Sequence, residues 1–230
     1  MNRGVTVQIG MILILSVCLM AIGLVYIGVK PVIESYVKST HQREVINVFE
    51  LMREFVIKID RGVFSRMIEA RMFEGNYFIN QTGLISVNNT TIYLYSFIYK
   101  NNDEEIAFEN GAIFRKINNK VFMMEEPFII SDNNTVRILV VSLYGEGSVA
   151  GRGVLRLLFT NLGFDCYRNG NKTLIIKSDY YLGWTEYLQK EDFKEDFTIT
   201  LDPSNKTVIV NVISDKVLLV KILNIEVDFL

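Results

Sequence analysis

Between Gly4 and Val29 no side chain carries a charge, and most residues are aliphatic. As a helix this run is about 37 Å long at 1.5 Å per residue, enough to cross the roughly 30 Å hydrocarbon core of a bilayer. Arg3 precedes it and Lys30 comes directly after it, so the positive-inside rule alone does not choose an orientation. The run is long for the apolar region of a secretory signal, and no small-residue cleavage site closes it. The expectation is a retained, single-pass transmembrane helix over 5–29, with the lipid bilayer as its first partner and the remaining residues displayed on one side.

The remainder of the chain must fold on its own core. The two cysteines, Cys18 in the apolar run and Cys166 far beyond it, are expected at different depths, so no disulfide framework and no Cys/His metal site is expected. Cys166 reads as a buried free thiol. With Arg3 and Lys30 set aside, the net charge is about −4, which offers no basic footprint for nucleic acid. No cofactor is expected.

Pro31 is expected to kink the helix or separate it from the next segment. Val37, Val45, Val48, Phe49, Met52, Phe55, Val56, Ile59, Val63 and Met67 then recur at spacings of three and four, with charges opposite. This predicts an amphipathic helix or stalk over 31–72 whose apolar stripe covers a β surface. From 76 to 230 short β-branched and aromatic runs alternate with Asn, Asp and Gly clusters, the signature of antiparallel strands. Runs beginning at Thr91, Ala112, Val121, Val136, Val154, Thr173, Phe197, Thr207 and Val217 are expected strands. One helix over about Tyr180–Gln189, capped by Ser178 or Asp179, interrupts them. The fold class is α+β: an N-terminal transmembrane helix continuing as an amphipathic helix, then a mainly antiparallel β ectodomain with one short helix.

The run Arg3-Gly4-Val5-Thr6-Val7-Gln8-Ile9-Gly10 resembles the start of archaeal type IV pilin-like proteins. That resemblance implies a short basic leader, 1–4, cut between Gly4 and Val5 by a prepilin peptidase. It also implies a hydrophobic helix that packs with other pilin-like subunits in a filament. A second set of residues is similar to a family of uncharacterised archaeal surface proteins with such N-termini. It comprises Glu109-Asn110-Gly111-Ala112-Ile113, Pro127-Phe128-Ile129-Ile130-Ser131, and Ser178-Asp179-Tyr180-Tyr181 with Trp184 and Tyr187.

Six Asn-x-Ser/Thr triplets begin at Asn80, Asn88, Asn89, Asn133, Asn171 and Asn205, all beyond the apolar run. They are glycosylation candidates and favour an extracellular C-terminal part. Tyr180, Tyr181, Trp184 and Tyr187 form either a sugar-stacking platform or, by their helical spacing, a core face. The lone His41 reads as a solvated residue. Gly145, Gly147, Gly151 and Gly153 match neither a dinucleotide fingerprint nor a P-loop and read as a flexible connection. Glu125-Glu126, Glu191-Asp192 and Glu195-Asp196 read as solvated turns rather than paired catalytic acids. No arrangement predicts an enzyme. The expected function is a membrane-anchored, pilin-like cell-surface glycoprotein, a subunit or minor component of a filament and an agent of adhesion. The alternative is a permanently anchored extracellular domain that recognises glycans or envelope proteins.

Overall fold

The computed structural model describes residues 3–59, 62–72, 74–87, 90–102, 104–132, 134–169, 172–190, 193, 195–213 and 216–230. They divide into two compact units, one ending at Glu44 and one beginning at Val45.

Helix α1, Arg3–Ile59, runs without interruption across Pro31. The expected break there does not occur. Proline removes one hydrogen bond, and helical sequence on both flanks carries the helix across that loss. The helix stops earlier than the expected 72. The Gly62 amide donates to the Ile59 carbonyl at 3.0 Å and the Val63 amide to the Lys58 carbonyl at 3.4 Å, with Gly62 at φ +88°. This is the Schellman closure that glycine permits. Ser65–Met72 is then strand β1, not helix. Its buried residues Ile68, Ala70 and Met72 alternate with exposed ones, among them Met67, so the period changes from 3.6 to 2 within a few residues.

In the second unit the chain adds β2 (Asn76–Val87), β3 (Thr90–Asn101), β4 (Glu104–Glu109), β5 (Ala112–Ile117), β6 (Lys120–Glu125) and β7 (Ile129–Ser131). Next come β8 (Thr135–Tyr144), β9 (Ser148–Ala150), β10 (Gly153–Asn169) and β11 (Thr173–Ser178). The short helix α2 (Tyr181–Leu188) precedes β12 (Phe197–Asp202), β13 (Thr207–Val212) and β14 (Val217–Phe229). Among the described residues these strands form two sheets. One has the order β1-β10-β14-β8-β7; the other is β12-β13-β11-β2-β3-β4-β5-β6, with β9 on β2. Pairing is antiparallel throughout except for β14 beside β8, which is parallel.

Two hairpins use the turns their asparagines favour. Asn110 and Gly111 between β4 and β5, and Asn118 and Asn119 between β5 and β6, all have positive φ, as a type I′ turn requires. Gly111 is also held by space, since a Cβ there would lie 2.6 Å from the Phe128 ring. Two cores result. Val45, Val48, Phe49, Met52, Phe55, Val56 and Ile59 of α1 pack with residues such as Phe97, Phe108, Leu157 and Ile225. Trp184, Tyr180 and Tyr187 pack with Phe114, Ile138, Ile176 and Val210. The expected amphipathic stripe is therefore real over 45–59, while Val37 is 50% exposed.

Candidate functional site

Large apolar side chains of α1 from Met11 to Val37 are between 45% and 72% exposed. They point in every direction around the helix, and Cys18 among them is exposed as well. A surface patch of a few hundred Å² is already unusual on a protein surrounded by water, and this exposed apolar length is the most conspicuous surface feature of the helix. Helix α1 is long and apolar enough to cross a membrane. Gly4 and Val5, the expected leader junction, lie inside this helix.

The second unit encloses a carboxylate that local sequence pattern does little to single out. Glu109, the last residue of β4, is fully buried. Its Oε1 accepts from Ser178 Oγ at 2.6 Å and from Trp184 Nε1 at 2.9 Å. Its Oε2 accepts from Thr82 Oγ1 and, at 3.3 Å, from Ser96 Oγ. The Thr82 and Ser96 hydroxyls lie 2.6 Å from each other. Thr82 reaches the carboxylate because β2 bulges. The register shifts between Gln81 and Gly83, leaving Thr82 as the extra residue, which a bulge re-aims. Gly83 makes the bulge possible, since a Cβ there would meet the Lys177 carbonyl oxygen at 1.9 Å. Burial pushes the Glu109 carboxyl above its ordinary value, against the pull of its four donors. Closed to solvent, this group pins β2, β3, β4, β11 and α2 together and has no access to a substrate.

The same network decides the aromatic set. Tyr180, Trp184 and Tyr187 are all at most 2% exposed, and only Tyr181 is partly exposed. The core-face reading holds, and a sugar-stacking platform on these rings is withdrawn. Tyr180 stacks on Phe114 with centroids 5.1 Å apart and donates to Glu105 Oε1 at 2.8 Å. Ser178 supports the start of α2 by accepting from the Tyr180 amide at 2.9 Å.

Asn205 sits in an exposed 3₁₀ turn, Pro203–Asn205, where its Nδ2 donates to Asp202 Oδ2 at 2.7 Å. Asn80 is exposed but lies within β2, opposite Ser96. Asn88, Asn89, Asn133 and Asn171 lie outside the described residues, as do Glu191 and Asp192.

Three further expectations are corrected. His41 is buried rather than solvated, at 7% exposure. Asp196 is also buried; desolvation alone would raise its carboxyl, but Lys216 and Ser131 hold it below its ordinary value. Cys166 is exposed, in a stretch of β10 where its neighbours Phe164 and Asp165 are exposed as well. Glu125 and Glu126 do face outward, toward Arg53 and Lys190. The glycine connection is close-packed at two points. A Cβ at Gly145 would come within 2.3 Å of the Val227 carbonyl oxygen, and one at Gly147 within 2.7 Å of the Phe229 ring.

A family model matches residues 3–228. The chain belongs to DUF7289, a family of unknown function. The match begins at Arg3, the first residue of α1, and ends in β14, so the DUF7289 span takes in both the exposed helix and the β unit. No curated protein and no solved structure shows significant similarity to the chain. Among the described residues, no group of three or more His, Cys, Asp or Glu is placed to hold a metal ion.

Proposed function

We propose that this DUF7289 chain is a membrane-anchored, pilin-like cell-surface protein without catalytic activity. It crosses the membrane once, displays its β unit outside the cell, and enters a type IV pilus-like filament as a subunit or minor component. The observation that carries this reading is the exposed apolar surface of α1, uncharged from Gly4 to Val29. A helix satisfies its backbone internally and can therefore rest in hydrocarbon. It can later exchange lipid for identical helices, since association within a membrane relies on packing rather than on hydrophobic expulsion from water. The likeness of residues 3–10 to a prepilin leader supports the polymerising form. The exposed Asn205, at the head of a triplet that begins in a surface turn, supports an outward-facing, glycosylated β unit.

The test is the mature N-terminus of the protein extracted from its native membrane. The proposal expects a chain beginning at Val5 that sediments with filaments. A chain that retains Met1 to Gly4 contradicts the prepilin-peptidase step.

A further inference from the structure

Strand β3 of the larger sheet lies against β8 of the smaller one, and beside that contact an open groove of about 450 Å³ remains. This is within the size range of small-ligand sites. Its walls include Tyr93 from β3, Ser142 and Tyr144 from β8, Asp165 from β10, Asn224 from β14 and Glu146 from the close-packed glycine connection. All of these residues belong to the unit beginning at Val45.

The two tyrosine rings are 55% and 47% exposed, so each offers an apolar face with a polar tip. A row of planar polar groups runs between the strands. Tyr144 Oη donates to Asn224 Oδ1 at 3.3 Å, and Asn224 Nδ2 donates to Asp165 Oδ2 at 3.2 Å. Ser142, only 3% exposed as a residue, also lines the groove and adds a hydroxyl that can donate and accept. The charge of the walls narrows the choice. No lysine or arginine lines the groove, whereas Asp165 and Glu146 do, which disfavours phosphates, uronic acids and other anions. Asp165 already shares its charge with the Asn224 amide, leaving the groove richer in hydroxyl and amide groups than in uncommitted charge. That balance suits a neutral polyol better than a cationic peptide.

We infer that this groove binds a short neutral saccharide, with the Tyr93 and Tyr144 rings against sugar C–H faces and Ser142, Asn224 and Asp165 bonding its hydroxyls. The inference concerns the β unit alone and does not depend on leader processing or polymerisation. An unprocessed N-terminus would leave it standing, and its failure would leave the membrane anchor standing.

The test uses the full chain in a zwitterionic detergent that carries no sugar headgroup. Maltotriose, mannotriose, cellotriose and triacetylchitotriose serve as neutral probes, with trigalacturonic acid and tetralysine as charged ones, titrated by calorimetry. At least one neutral probe is expected to bind more tightly than either charged one. Tyr93→Ala and Tyr144→Ala are each expected to weaken that binding by roughly tenfold. Tyr93→Phe, which keeps the ring, and Phe122→Ala, remote from the groove, are expected to preserve it. Binding of no neutral probe, tighter binding of a charged probe, or binding indifferent to both tyrosine-to-alanine changes would overturn the inference.

Discussion

Glu109 shows what a single residue contributes to this fold and what it costs. Its carboxyl is raised by burial despite the donors from Ser178, Thr82, Trp184 and Ser96, so the ionised form is less favourable in the folded chain than in the unfolded one. The stability that this residue lends is fully present below the unfolded carboxyl range, and it is lost as pH rises through the folded value. Glu109→Gln removes the titration and keeps the shape, with its amide oxygen able to face Trp184 and its nitrogen able to face the Thr82 and Ser96 oxygens. Denaturant unfolding of the full chain in detergent from pH 4 to pH 8 is therefore expected to show the native protein losing stability relative to the variant as pH rises. A relative gain with rising pH would mean that the four donors outweigh desolvation. In the sequence Glu109 reads as one residue of the Glu109-Asn110-Gly111 run, next to an Asn-Gly pair that favours a turn. The turn is there, with both φ values positive, but the burial of the preceding acid depends on partners as far away as Ser178 and Trp184, which local pattern does not reveal.

Among the elements, α1 divides by what its side chains meet. Phe55 is fully buried against Phe159 and Ile57 is 42% exposed. Phe55→Ala should therefore cost about 3–5 kcal/mol, whereas Ile57→Ala should stay within about 1 kcal/mol, both read from chemical unfolding of the full chain. Equal effects would mean that the stripe over 45–59 is not packed as described. The stripe was legible because Val45 to Ile59 repeats at helical spacing. Its end was not, because Val63 and Met67 continue that spacing by coincidence while Gly62 closes the helix. Strands rich in β-branched residues, such as β8, β11, β13 and β14, were legible for the same local reason. In contrast, β2 and β4 were hidden by polar and acidic residues whose place is set by pairing. The parallel joining of β8 to β14 links segments far apart in the chain, and hydrophobic periodicity carries no information about such long-range register. The tyrosine and tryptophan set was legible as a cluster. Its burial came from the second-unit core, and the groove tyrosines Tyr93 and Tyr144 passed as ordinary strand residues.

For the whole molecule, the arrangement we propose would put the exposed apolar length of α1 in lipid or an equally dry bundle, with the β unit in water outside. The two cysteines give each side its own reporter. Cys18 lies among the apolar residues of α1 and Cys166 lies on β10, and both thiols are exposed on the isolated chain. A thiolate needs water to react, and a thiol surrounded by hydrocarbon is shielded from a membrane-impermeant maleimide. The sharpest test of this arrangement is treatment of intact cells with such a reagent, followed by peptide mass mapping. Cys166 is expected to be modified on intact cells, and Cys18 only after detergent opens the membrane and any helical bundle. Modification of Cys18 without detergent, or protection of Cys166 until the cells are broken, would refute the anchored arrangement.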